Sequence, residues 1–366
     1  MNKNIKTLCG VELIEYLSLL FGPTGCEDRV RDAIALAVED LCDAKVCDRM
    51  GNLICRISLG DPDKRKKIML SAHMDEVGFM IEEIKKDGML TFGCVGGIDP
   101  SVLAGKRALI EGNGELLNGV ICSKAIHHKT KKERKKATES DKLYIDLGFT
   151  SDEDAKESVA VGALATFLGD FFLMGKDMRT MCSKALDDRM GCALLIELMR
   201  KIREEKSLLD LDIYFCFTVG EETGHSGAIV AAERIAPDFA LIFESTAIGD
   251  LPETLESRRV AEVTKGAVIS VADRSTIYDK ELIDLAFDRA KKDGIPLQVK
   301  KYLSGGNDAG SIHKTAKGVK TIALSAPTRY LHSPACVASL DDYDSIIRLT
   351  DAIVRSFDEY CKKENI

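Results

Sequence analysis

Five short stretches of this 366-residue chain carry the side chains that a hydrolytic centre needs. The most telling is residues 211 to 228, where the apolar run Ile213 to Val219 stops at Gly220 and delivers two adjacent acids, Glu221 and Glu222, into a turn with Gly224 and Gly227. A continuous apolar and β-branched run reads as a strand buried on both faces. Open α/β sheets gather their ligands at the carboxyl ends of such strands. Neighbouring side chains there point different ways, so one glutamate can face a cation while the other faces a reacting water. The other stretches are His73 and Asp75 in His-x-Asp after a short buried strand, Asp187-Asp188-Arg189 ahead of a helix, Glu244 after the run Asp238 to Phe243, and His332 in Tyr330-Leu331-His332-Ser333-Pro334. Singly, each has a plain explanation: a solvated turn, a hydrogen-bonded core histidine, a helix cap. Together, two imidazoles and several carboxylates with no cysteine among them suit zinc, cobalt or manganese in a catalytic site better than a structural zinc. If Asp187, Glu222 and Glu244 hold two divalent ions, three carboxylates and a hydroxide offset four positive charges.

The elements around these residues alternate. Glu27 to Asp43 has helical spacing, with Thr24 and Glu27 placed as a capping box. Residues 44–47 and 53–57 flank Met50-Gly51-Asn52 as a hairpin, and 67–72 is a short buried strand. From about residue 85 to 177 the texture changes to short strands broken by glycines, with one helical piece near 151–158, which predicts a small β-rich domain inserted into an α/β one. The α/β pattern resumes with a helix on Met190, Leu194 and Leu198, the strand 211–219, a helix over 228–235 and a strand over 238–243. A helix on Leu282, Ala286 and Ala290, strands over 297–303 and 320–325, and a last helix opened by Ser339 and Asp342 complete it. The expected domains are therefore a discontinuous catalytic unit, 1–84 with 178–366, and an insert, 85–177. Its fold class is α/β, a mixed central sheet with helices on both faces.

Composition excludes several classes of function. A net charge of −8 argues against nucleic acid as the main partner, and the basic run Lys129 to Lys136 reads as a solvated loop. No stretch is long and apolar enough for a membrane span, and residues 1–22 read as an amphipathic helix rather than a signal peptide. Twelve scattered cysteines without a C-x-x-C pair read as reduced thiols, which predicts a cytoplasmic protein. Cys182, Cys192 and Cys216 lie near the motifs but read as core packing. His225 and His313 read as non-ligands, and His127 and His128 as surface loop residues.

In order along the chain, residues 73–80 (HMDEVGFM), 184–193 (KALDDRMGCA), 218–224 (TVGEETG), 305–310 (GGNDAG) and 327–334 (PTRYLHSP) resemble the M42 metallo-aminopeptidases, the glutamyl and tetrahedral aminopeptidase relatives. Each block alone is unspecific, whereas the ordered set spans nearly the whole chain. The resemblance implies a zinc-peptidase-like α/β domain whose insert is PDZ-like and makes dimer contacts, with dimers closing into a tetrahedral dodecamer. It implies two divalent ions, zinc first with cobalt or manganese as alternatives. Asp187 would bridge them, His73 and Glu244 completing one site and Glu222 and His332 the other. Asp75 would orient His73. Glu221 would be the general base that takes a proton from the attacking water and returns it to the leaving amine, as short peptides lose their N-terminal residue. Two positions depart from the family pattern: Glu244 stands where Asp is common, one methylene longer, and Asn307 where threonine is usual. The competing readings are a deacylase or glycosidase, which leaves the ligand set unexplained, and a non-catalytic assembly protein on the same fold.

Overall fold

The computed structural model describes residues 4–204 and 210–364, apart from the side chains of 358, 359 and 362–364. The first three residues of the N-terminal stretch expected to be an amphipathic helix lie outside the described residues. The strands begin with a hairpin, β1 (Ala44–Cys47) and β2 (Leu53–Ser58), and β3 (Lys66–His73). Then come β4 (Gly78–Ile84), β5 (Leu90–Val95), β6 (Arg107–Glu111), β7 (Leu116–Cys122), β8 (Tyr144–Asp146) and β9 (Leu164–Phe167), which close into a barrel in the order β4-β5-β8-β7-β6-β9. After β10 (Phe172–Met174) and β11 (Thr180–Ser183) the main sheet resumes with β12 (Leu211–Thr218), β13 (Phe239–Ala247), β14 (Ala267–Ile269), β15 (Leu297–Val299) and β16 (Lys320–Thr328), and β17 (Cys336–Ser339) pairs with β11. The main sheet has eight strands in the order β1-β2-β12-β3-β13-β16-β14-β15. Its four middle strands, β12, β3, β13 and β16, run parallel, so their carboxyl ends share one edge.

These middle strands are almost uninterrupted apolar runs, which only a sheet covered on both faces can bury. Helix α1 spans Gly10–Leu19, α2 Asp28–Ala37, α3 Asp152–Ser158, α4 Leu186–Glu204, α5 Ser226–Ile235, α6 Lys280–Asp293, α7 Ala309–Ile312 and α8 Leu340–Glu364. Helices α4 and α8 pack together over β3, β13 and β16, while α5 and α7 form a separate pair against β12, β13 and β16. The mixed, doubly covered sheet is the architecture expected. The barrel has its own core, centred on Phe79, whose ring meets Phe92 and Phe167 edge-on at 5.1 Å each. Such pairs contribute about 0.5–1.5 kcal/mol beyond burial.

Several expectations need correction. The barrel begins at Gly78 and ends at Phe167, so its first strand lies ahead of the boundary placed at 85, and β10, inside the expected insert, pairs with β11 instead. Helix α2 is not opened by a capping box: Thr24 donates its hydroxyl to Asp75 at 2.7 Å, and Glu27 accepts from the Gly25 N–H. At α8, Ser339 accepts from the Asp341 N–H, but Asp342 turns away to accept from Thr264 and Gly266. Distant partners took the side chains of Thr24 and Asp342 that local signals had assigned to caps.

Candidate metal centre

The parallel middle of the sheet carries the candidate residues to one place. His73 is the last residue of β3, Glu221 and Glu222 follow β12, Glu244 lies within β13, which runs on to Ala247, and His332 follows β16. Asp187 comes from outside the sheet, two residues before α4 takes helical geometry. There Asp188 caps the helix by accepting from the Gly191 N–H at 3.0 Å.

Asp187 stands between the two imidazoles. Its Oδ1 is 3.3 Å from His73 Nε2 and its Oδ2 is 3.5 Å from His332 Nε2. Glu244 Oε2 lies 3.9 Å from His73 Nε2, and Glu222 Oε1 lies 3.3 Å from His332 Nε2. Ligand atoms of His73, Asp187 and Glu244 lie within 4.8 Å of one another, and so do those of Asp187, Glu222 and His332; Asp187 belongs to both sets. His73, Glu221 and Glu222 form a third compact set, so spacing alone does not separate the two glutamates. What separates them is their other partner: Glu222 faces His332, whereas Glu221 Oε1 is 3.3 Å from His225 Nε2.

The tautomers fit a cation. His73 Nδ1 lies 3.1 Å from the Asp75 carbonyl oxygen and His332 Nδ1 lies 2.6 Å from the Gly97 carbonyl oxygen. A carbonyl only accepts, so each Nδ1 carries the proton and each Nε2 is turned toward the acids, the arrangement that prepares an imidazole as a ligand. The Gly97 contact also ties His332 to the segment after β5, so the barrel helps aim it. Asp75 is wholly buried, with Oδ1 3.4 Å from His73 Nδ1, and it accepts from the backbone N–H groups of Glu221 and Glu222 at 3.1 Å each, besides the Thr24 hydroxyl.

The electrostatics report unbalanced negative charge. Burial pushes the Glu222 carboxyl up to about 7 and Glu244 well above the usual carboxylate range, with Asp187 adding to both. Burial alone would lower His332, but Asp187 and Glu222 outweigh it and raise the imidazole to about 11; His73 rises against burial in the same way through Asp187 and Asp75. These shifts mark a surplus of buried negative charge, which divalent cations would offset. The residues therefore fit a metal centre. They open onto a cleft of about 440 Å³ whose far wall includes Ser245, Thr246, Lys300 and Gly305. A larger hollow of about 570 Å³ lies on the barrel among Lys129, Lys136 and Tyr144, and none of the centre's residues lines it.

A second buried cluster went unread in the sequence. Lys184 donates to Glu76 at 2.6 Å and to the Leu20 carbonyl, while Arg189 donates to the carbonyls of Met74, Leu17 and Gly22. Arg189 also lies 3.5 Å from Glu76, and Thr166 donates to the other Glu76 oxygen. These bonds fix the backbone on both sides of Asp75. The only sequence signal was a lysine and an arginine flanking an otherwise apolar Asp-Asp block. His225 was set aside as a non-ligand; it belongs to no ligand set and instead touches Glu221, brought there by a left-handed turn (φ 62°). His313, the residue after α7, bonds the Ala309 carbonyl through its ring. Cys192 is buried with its thiol on the His73 carbonyl, and no disulfide joins the cysteines of the described residues.

An α/β sheet with acids and imidazoles converging at its carboxyl edge defines a metallohydrolase class, and comparison with known proteins makes the class specific. The M42 glutamyl aminopeptidase family model matches residues 51–349. An aminopeptidase-like protein of Acetivibrio thermocellus is 38% identical over 338 residues, 92% of this chain and 96% of that one. Among solved structures, a TET aminopeptidase from Thaumarchaeota archaeon SCGC AB-539-E09 superposes with a TM-score of 0.90 at 33% identity, covering 95% of this chain and 96% of that one. The TET1 peptidase of Pyrococcus horikoshii, which assembles into a tetrahedron or a large octahedral shell, gives a TM-score of 0.82 at 32% identity, covering 94% and 98%. The chain belongs to the M42 peptidase family and is a metal-dependent aminopeptidase.

Proposed function

We propose that the chain removes N-terminal residues from short peptides at a centre of two divalent ions, with Asp187 shared, His73 and Glu244 holding one ion, and Glu222 and His332 the other. The observation that carries this reading is the position of Asp187 between two imidazoles whose Nδ1 protons are both committed to carbonyls. An all-N/O donor set favours zinc, with cobalt or manganese as alternatives. Glu244, longer than the aspartate common there, reaches the cluster from within β13 and is kept in it. When bound, the cations supply Lewis-acid polarisation of the peptide carbonyl and lower the pKa of water.

The chain's own groups do the rest. Glu221 takes a proton from the attacking water and returns it to the leaving amine. Asp75 holds the backbone beneath both glutamates, and His225 steadies the Glu221 carboxylate from its outer side. The cleft opens beside Glu221, which leaves room for a peptide end. Cysteines without disulfides among the described residues suit a reducing compartment, and the cytoplasm is the proposed location. Self-association follows the TET relatives: the barrel, with Val120, Ile126 and Val161 exposed on it, supplies the dimer contacts, and dimers build a tetrahedral dodecamer.

Glu221→Gln tests the base. The variant keeps its metal content and its sedimentation coefficient while kcat on aminoacyl p-nitroanilides falls by about 10²–10⁴-fold. Full activity of the variant would remove Glu221 from the chemistry. Turnover of cellulose-type substrates instead of aminoacyl ones would favour the glycosidase reading.

A further inference from the structure

A further hollow, of about 340 Å³, lies on the sheet face that carries α5, and none of the metal centre's residues lines it. Its floor is the edge of the sheet. In the pairing register Ala44 of β1, Arg56 of β2 and Tyr214 of β12 stand in one row, and Val46 with Ile54 stands in the next row facing the same way. Lys67 enters from the start of β3, at the opposite end of that strand from His73, while Arg234 and Ile235 enter from the end of α5. Lys45 also borders the hollow, but its ammonium donates to the Ala35 carbonyl of α2 at 3.0 Å. Among the described residues no acid lines it.

Three cations therefore meet there without an answering carboxylate. Lys67 donates to the Ile235 carbonyl at 2.9 Å, a neutral acceptor that leaves its charge uncompensated and two further donors to place. Arg234, exposed at the rim, makes no hydrogen bond or ion pair among the described residues. Arg56 makes none either, and its Nε is buried without an acceptor. The acids nearby are engaged elsewhere. Asp43, which feels the Arg56 charge, accepts from Arg203 with one oxygen and from the Ser58 N–H with the other. Asp212 accepts from the Ser58 hydroxyl, and Asp238 from the Lys67 N–H. Buried donors in folded chains almost always have a partner, so a buried guanidinium N–H beside an acid-free hollow calls for an acceptor that arrives from outside.

The lining sets the chemistry of that acceptor. Three positive charges answer a dianion better than a single carboxylate, and the planar arginine fork matches two phosphate oxygens at once. The hollow is larger than a phosphate alone requires, and Val46, Ile54 and Ile235 wall the remainder, which suits an apolar body beside a charged head. We infer that this hollow is a binding site for a small phosphate monoester, with Arg56, Lys67 and Arg234 on the phosphate and the aliphatic wall against the organic group. The site is separate from the peptide cleft and does not rest on the aminopeptidase reading of it.

Calorimetric titration of the metal-loaded chain with phenyl phosphate, inorganic phosphate and benzoate tests the site in the wild type, Arg56→Met and Arg234→Gln. Urea unfolding and turnover of Leu-p-nitroanilide are measured for each. The wild type binds phenyl phosphate saturably and more tightly than either of the other two anions. Each substitution weakens that binding by about 10- to 100-fold, the value of one charged hydrogen bond, and leaves turnover without added phosphate unchanged. Arg234 is exposed at a helix end, so its variant decides the matter if Arg56→Met fails to fold. Absence of saturable phenyl phosphate binding overturns the site. So does an affinity equal in the wild type and Arg234→Gln, which puts the anion elsewhere, the metal centre included. Benzoate binding as tightly as phenyl phosphate overturns the dianion assignment, and inorganic phosphate binding as tightly overturns the part given to the aliphatic wall.

Discussion

Two buried charge clusters both draw on the segments 73–76 and 184–189, and they are opposites. In one, Glu76 is met by Lys184 and Thr166, and Arg189 spends its remaining donors on three backbone carbonyls. Every charge there is answered from within the chain. In the other, the imidazoles of His73 and His332 are the cationic groups in contact with Asp187, Glu222 and Glu244 among the described residues, and both imidazole pKa values rise in answer. A closed cluster of the first kind fixes geometry, and an open one of the second kind is a binding site. The contrast shows that burial and charge do not by themselves mark function; incomplete compensation does.

The largest effect should come from opening the closed cluster. Lys184→Met leaves Glu76, among the described residues, with Arg189 at 3.5 Å as its remaining nearby cation, and removing one partner of a buried pair costs about 3–5 kcal/mol, read as the shift in free energy of urea unfolding. A cost below about 1 kcal/mol would mean that this cluster is no more complete than its neighbour. A smaller effect comes from weakening the support beneath the open cluster. Asp75→Asn should reduce metal affinity by about 10- to 100-fold, the usual cost of losing a ligand's hydrogen-bonded support. The loss should appear at both ions, because the same carboxylate meets His73 and the Glu221-Glu222 turn. Competition titration with a chromogenic chelator measures it, and a loss confined to one ion would break the link between Asp75 and the turn.

The sequence made the parallel strands legible because each is a continuous apolar run, and it made their ends legible because acids and histidines there interrupt the runs abruptly. His73, Asp187, Glu222, Glu244 and His332 were therefore visible as a group before their distances were. Other features had no such signal. Thr24 and Asp342 stand at helix starts where local rules assign caps, yet each had a better partner far along the chain, which spacing cannot reveal, and Glu27 accepts from Gly25 two residues back. The strand Gly78–Ile84 follows the His-x-Asp motif so closely that it reads as part of the catalytic unit, although its partners are β5 and β9 of the barrel. His225 and Lys300 reach the cleft by loop geometry, and loops leave no periodicity to read.

The central claim is that five side chains share two cations through Asp187. Metal analysis by mass spectrometry on purified, reloaded protein tests it most directly. The account predicts two divalent ions per wild-type chain and a failure of Asp187→Asn to retain both. A wild-type chain that takes up no ion, or an Asp187→Asn chain that holds two with undiminished affinity, would contradict it.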